Sequence, residues 1–160
     1  MTSLAAQTLA RRRDMRAAPA ADRMALSRHL IASAEAGLRA WCAVDGEQAQ
    51  PGAPAGAAAM PLGVKDVIDV AGLPTRAGSA TREAALPGHR DAAVVARLRQ
   101  RGYVPVGKTC TTEFAYLDAP ATVNPFHASH TPGGSSSGST AAVGAGVVPV
   151  ALGTQTAASV

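Results

Sequence analysis

The sequence predicts an α/β fold, and three observations carry that expectation. A β-branched run at residues 62–70, a helical stretch at 91–101 and an apolar run at 103–107 follow one another with short links, the order of a strand–helix–strand unit with at least partly parallel pairing. A second unit follows, in which an alanine-rich helix at 137–146 leads into a strand at 147–152 and then a tight turn. Apolar residues form 47% of the 160, enough for a core, and no run reaches the roughly eighteen uninterrupted apolar residues of a membrane span. Aromatic residues are only 3%, so the core must depend on close packing of small side chains. These figures exclude collagen, coiled coil, disulfide scaffold and transmembrane helix.

From the N-terminus, residues 1–18 read as a short polar helix or arm ended by Pro19. Asp22 is a candidate cap for a longer helix, whose stripe of Leu26, Leu30, Ala34, Leu38 and Trp41 at spacings of three and four runs to Val44. Asp45-Gly46 is a turn signal, and residues 46–60 form a proline- and alanine-rich loop. The strand at 62–70 is bounded by Pro61 and Gly72. Asp91 is the expected cap of the next helix, with Val94, Val95 and Leu98 on its inner face and Gly102 beyond its end. Residues 117–134, with little periodicity and several prolines, form a long ordered or functional loop. The chain thus divides into a helical segment at 1–45, a loop at 46–60 and the main domain at 61–160.

The formal charge is +4, with Arg11, Arg12, Arg13 and Arg16 clustered near the start. Nucleic-acid recognition would call for basic residues interleaved with aromatics, so a solvated helix face is the expected reading. Two cysteines, Cys42 and Cys110, suit a reducing compartment, and no apolar segment follows the first arginines as a secretory signal would need. The expectation is a cytoplasmic protein.

Chemistry concentrates in three places. Gly133-Gly134-Ser135-Ser136-Ser137-Gly138-Ser139 precedes a small-residue helix, which suits a phosphate loop, with a plain Gly/Ser linker as the alternative, although a Walker ending and Rossmann spacing are both missing. Gly153-Thr154-Gln155-Thr156-Ala157-Ala158-Ser159 follows a strand and sets a hydroxyl after small residues, the shape of a nucleophile beside backbone N–H donors. A serine needs a base. His29, His89, His127 and His130 lack suitable partners in sequence, and the His127/His130 pair lacks further metal ligands. Lysine is scarce: Lys65 and Lys108 are the only two, against thirteen arginines. Lys65, flanked by Val64 and Val67 in a strand, is the better base, because burial favours a neutral amine. The bland alternative is a strand-end lysine that reaches water or pairs with Asp66.

Taken in order, Gly63-Val64-Lys65-Asp66, Gly72-Leu73-Pro74, Gly107-Lys108-Thr109, Glu113-Phe114-Ala115, Asn124-Pro125, Pro132-Gly133-Gly134-Ser135-Ser136 and Gly153-Thr154 resemble the amidase signature family, from about residue 61 to the end. The resemblance implies the N-terminal part of an α/β/α sandwich with a mixed sheet, and a Ser–Ser–Lys triad of Ser159, Ser135 and Lys65, with a cis peptide before Ser135. It also implies an oxyanion hole of the backbone N–H groups of Thr156, Ala157, Ala158 and Ser159. No metal or organic cofactor is implied. The expected substrate is a small linear amide, with no membrane or nucleic-acid partner except a tRNA-linked substrate if the chain is instead the amide-cleaving subunit of a tRNA-dependent glutamine amidotransferase. A homo-oligomer is compatible with either. The chain departs from the family at Gln155, where Asp is usual, and at Ala158, where Gly is usual. Family members are longer, so the expectation is an N-terminal fragment, truncated and inactive alone, with a non-catalytic remnant as the competing reading and a phosphate-binding module as the third.

Overall fold

The computed structural model describes residues 4–45, 59–155 and 159. The predicted loop at 46–60 therefore lies almost wholly outside the described residues, as do Thr156, Ala157 and Ala158 of the predicted oxyanion turn.

Four strands form one mixed sheet in the order β1–β3–β2–β4. They are β1 (Trp41–Val44), β2 (Met60–Lys65), β3 (Tyr103–Thr109) and β4 (Val150–Leu152). β3 runs parallel to β2 and antiparallel to β1, while β4 runs parallel to β2. Helices α1 (Leu4–Ala17), α2 (Ala20–Leu38), α3 (Ala93–Gln100) and α4 (Ser137–Gly144) complete the described elements, apart from two single-turn segments. α2 and α4 share one core with Trp41 and Val106. On the other face Val95 and Leu98 of α3 pack with Leu62, Val64, Val70 and Leu73. The expected α/β layering is present.

Several boundaries differ from the expectations, each for a local reason. The second helix does not run to Val44. It starts at Ala20 after Pro19 with no side-chain cap, leaving Asp22 in its first turn, and it ends where Arg39 turns left-handed (φ 51°). Trp41 therefore begins an edge strand, and the buried stripe of α2 is Ser27, Ile31 and Leu38. The second strand stops at Lys65, because Ile68 N–H bonds back to Lys65 O and closes a turn. Asp91 does not cap α3; its carboxylate takes Ala71 N–H at 2.8 Å and pairs with Arg99 at 2.7 Å, leaving Ala92 as N-cap and Val94 exposed. α4 is shorter than expected. Gly146, left-handed at φ 72°, sends its N–H to Val143 O, and Val147 N–H bonds Ala142 O, a paired closure that ends the helix before the buried Val147 and Val148. The last strand consequently begins at Val150.

Two bulges decide which way the chemistry points. Leu62 pairs with Pro105 but Gly63 with Gly107, so Val106 is an extra residue in β3; Cys42 is the corresponding extra residue in β1. Side chains alternate across a strand, so one inserted residue exchanges the faces beyond it. Val106 accordingly joins the α2/α4 core, while Lys108 points to the opposite face. Gly138 lets α4 come close to the end of β3: a Cβ there would collide with Ala40 O and Cys110 N, and its own N–H bonds Cys110 O at 2.9 Å. At the far end of α4, Arg11 and Arg12 reach the carbonyls of Ala145 and Val143, where cations offset the helix dipole.

Candidate active site

The carboxyl ends of parallel β2 and β4 open beside the N-terminus of α4, the usual place for a ligand in an open α/β sheet. Lys65 is the last residue of β2 and is paired with Thr109. Its side chain lies on the α4 side of the sheet, where Thr109 Oγ1 meets Ser139 Oγ at 2.7 Å. Ser135 ends the loop at 117–134, follows a cis peptide bond from Gly134, and immediately precedes Ser136, the N-cap of α4. Ser159 follows β4 in the chain, seven residues beyond Leu152.

These three predicted residues converge. Lys65 Nζ lies 2.6 Å from Ser135 Oγ and 3.2 Å from Ser159 Oγ, and the two hydroxyls are 2.7 Å apart. Ser135 N–H donates to Ser159 Oγ at 3.0 Å. All three side chains are buried, and Lys65 is 0% exposed. Among the described residues every polar neighbour of its amine is a hydroxyl, and burial pulls its pKa from 10.5 down to about 8. Asp66, its possible partner by sequence, binds Lys108 instead at 3.0 Å. Lys65 is thus closed off from water and, among the described residues, forms no ion pair.

Two further residues join the cluster. Thr154 Oγ1 lies 2.8 Å from Lys65 Nζ, and Ser136 Oγ lies 2.8 Å from Ser159 Oγ while accepting Thr154 N–H at 3.2 Å. Both belong to motifs that are visible in the sequence, Gly153-Thr154 and Ser135-Ser136. Only the sheet register, which brings β4 beside β2, tells which hydroxyls face the amine. The carbonyl of Ser135 is held by Thr112 N–H at 3.1 Å and Thr111 Oγ1 at 3.0 Å.

None of the four histidines enters this cluster. All are exposed, and His127 and His130 contact each other through their Nδ1 atoms at 2.8 Å. Among the described residues no group of three or more His, Cys, Asp or Glu could hold a metal, and no helix is long and apolar enough to cross a membrane.

The sequence matches a family profile described as Amidase over residues 21–160. It is 38% identical to a glutamyl-tRNA(Gln) amidotransferase subunit from Roseiflexus castenholzii, covering all of this chain and 36% of that protein. It is 46% identical over 107 residues to the putative amidase AmiA2 of Mycobacterium tuberculosis, covering 63% of this chain and 22% of that protein. Among solved structures, the peptide amidase of Stenotrophomonas maltophilia matches with a TM-score of 0.64 at 30% identity, covering 94% of this chain and 35% of that one. The chain spans little more than a third, or less, of the length of these relatives.

Proposed function

This chain belongs to the amidase family, and we propose that it carries the Ser–Ser–Lys centre of an enzyme that hydrolyses linear amides. One observation carries the reading: a fully buried lysine whose amine, among the described residues, meets only hydroxyls, two of them serines 2.7 Å apart. A neutral amine has one lone pair and two N–H groups. Ser135, the shortest contact, donates its proton to that lone pair; Thr154 and Ser159 accept from the amine.

In this reading Ser159 Oγ attacks the amide carbonyl carbon. Its proton passes to Ser135 Oγ as the proton of Ser135 passes to Lys65 Nζ. The relay leaves Lys65 as an ammonium, Ser135 as a hydroxyl again and Ser159 bonded to carbon. Collapse of the tetrahedral adduct breaks the C–N bond, and the ammonium returns its proton through Ser135 to the leaving nitrogen. Water then attacks the acyl carbon by the same relay, and the acid is released as Ser159 regains its proton. The oxyanion role is assigned to the backbone N–H groups of Thr156, Ala157, Ala158 and Ser159, of which Ser159 alone is among the described residues. Thr154 and Ser136 hold the amine and the nucleophile in place.

Reaction with a fluorophosphonate, read by intact mass and peptide mapping, tests the reading on this chain. Expected is one label on Ser159, lost in Ser159→Ala and in Lys65→Ala. An unlabelled, folded chain removes the claim of a working centre here and favours a non-catalytic remnant. A second reading rests on the amidotransferase match over the whole chain: the amide cleaved is glutamine, and the ammonia passes to a partner that acts on a tRNA-linked substrate. Glutaminase activity that requires a second polypeptide distinguishes it.

A further inference from the structure

Lys108 is as completely buried as Lys65, yet it touches none of the groups in the relay. Its amine is saturated by Asp66 Oδ1 at 3.0 Å, Thr75 Oγ1 at 2.8 Å and Pro74 O at 3.1 Å. A buried ion pair of this kind is poor evidence for stability by itself, since desolvation offsets the attraction. Its placement asks for another reason.

Asp66 directly follows Lys65, and its N–H extends the ladder to Thr109 O at 3.0 Å. Its carboxylate also receives the N–H groups of Arg76 at 3.2 Å and Gly78 at 3.5 Å, across a turn in which Ala77 and Gly78 are both left-handed (φ 54° and 66°). The ion pair therefore closes the loop 66–78 against the sheet. That loop is tied in turn to the segment after β3: Phe114 N–H bonds Ala77 O at 2.8 Å, and a Cβ at Gly78 would fall 2.6 Å from Thr111 O. Thr111 and Thr112 are the residues that hold the Ser135 carbonyl. A continuous path of contacts thus runs from Lys108, on one face of the sheet, to Ser135, on the other.

We infer that Lys108 is a positioning residue: its ion pair with Asp66 locks the 66–78 loop, and through Thr111 and Thr112 that loop fixes Ser135 at relay distance from Lys65. The inference rests on the amide-hydrolase reading for its consequence, but the mechanical link stands on separate contacts. It gives the second lysine a task suited to a compact ammonium, which meets three converging oxygens where a planar guanidinium would not.

The test compares Lys108→Met, Asp66→Asn and the double variant by the rate of fluorophosphonate labelling at Ser159, alongside hydrogen exchange read by mass spectrometry. Lys108→Met strands a buried carboxylate, and folded protein should label about tenfold or more slowly, since small misplacements of reacting groups are costly. The double variant, with an amide that still accepts the Arg76 and Gly78 N–H groups, should regain part of that rate. In the unmodified protein, segments 66–78, 109–114 and 133–136 should exchange as one unit, and Lys108→Met should raise exchange in all three. Unchanged labelling by folded Lys108→Met overturns the inference. So does an unmodified protein in which 133–136 exchanges independently of 66–78, a result that needs no variant to fold. If the unmodified chain never labels but the three segments still exchange together, the hydrolase reading fails and the positioning link survives.

Discussion

Two lysines stand on paired strands, one at the end of β2 and one near the end of β3, and both are wholly buried. Their surroundings are opposite. Among the described residues Lys65 meets three hydroxyls, no carboxylate and no carbonyl. Lys108 meets a carboxylate, a carbonyl and one hydroxyl. Burial alone would treat them alike, because it disfavours either ammonium. The partners separate them: hydroxyls can pass a proton to an amine or take one from it, whereas a carboxylate and a carbonyl only accept. The first environment suits a base that changes protonation during a reaction, and the second suits a fixed cation that organises backbone.

The largest expected effect comes from removing Lys65, the proposed base. Lys65→Met should lower labelling or turnover by about 10²–10⁴, the range for loss of general base catalysis, with the fold retained by circular dichroism. Labelling at the rate of the unmodified protein would show that the proton leaves Ser159 by another route. On the other strand, Lys108→Met should destabilise by about 3–5 kcal/mol, the usual consequence of leaving one partner of a buried pair alone. Urea unfolding of Lys108→Met and of the double variant with Asp66→Asn checks this; the double variant should be the more stable of the two. If both variants unfold at the same urea concentration, the stranded charge is not the cause.

Much of this contrast is legible in the sequence, and part is not. Lys65 stands out by itself as one of two lysines, set among valines, whereas Ser135 and Ser159 stand out only through the ordered motifs that resemble the amidase signature family. The α/β order is legible because strand and helix periodicities differ. The side to which Lys108 points is not, since it depends on Val106 bulging from β3, and nothing in Tyr103-Val104-Pro105-Val106-Gly107 marks which residue is extra. The strand at Trp41 is hidden for a related reason. Its stripe with Leu38 continues the helical spacing, and only the left-handed turn at Arg39, a residue that does not ordinarily favour it, breaks the helix. Asp91 has the composition and position of a cap, but tertiary partners, Ala71 N–H and Arg99, claim its carboxylate.

A smaller effect follows from pH. With Lys65 titrating at about 8, the neutral amine is a minority species below that value. Labelling at Ser159 should therefore rise about tenfold per pH unit up to about 8 and level off above it. Rate measurements from pH 6 to 9.5, at constant ionic strength, check the profile. A flat profile would mean that the relay does not use Lys65 as a base, and it would leave the two lysines distinguished by geometry alone.

The smallest effect is also the one that sets the two residues in opposite directions. Lys65 titrates at about 8 in the folded chain against 10.5 for an ordinary lysine, so between those values the unfolded chain binds the extra proton and stability rises with pH. Below pH 8 both states are protonated, and the fold bears the full cost of a buried ammonium. Lys65→Met removes that cost. At pH 7 the variant should be more stable than the unmodified protein by on the order of 1 kcal/mol, an advantage that shrinks as pH rises through 8 and is nearly gone at 10.5. Thermal or urea unfolding at pH 7 and pH 9.5 reads the difference. Loss of a lysine held as one partner of an ion pair, like Lys108, would instead destabilise at both pH values. A lysine kept for chemistry leaves the protein more stable when it is removed, because the burial that makes the amine a base is a burden on the fold.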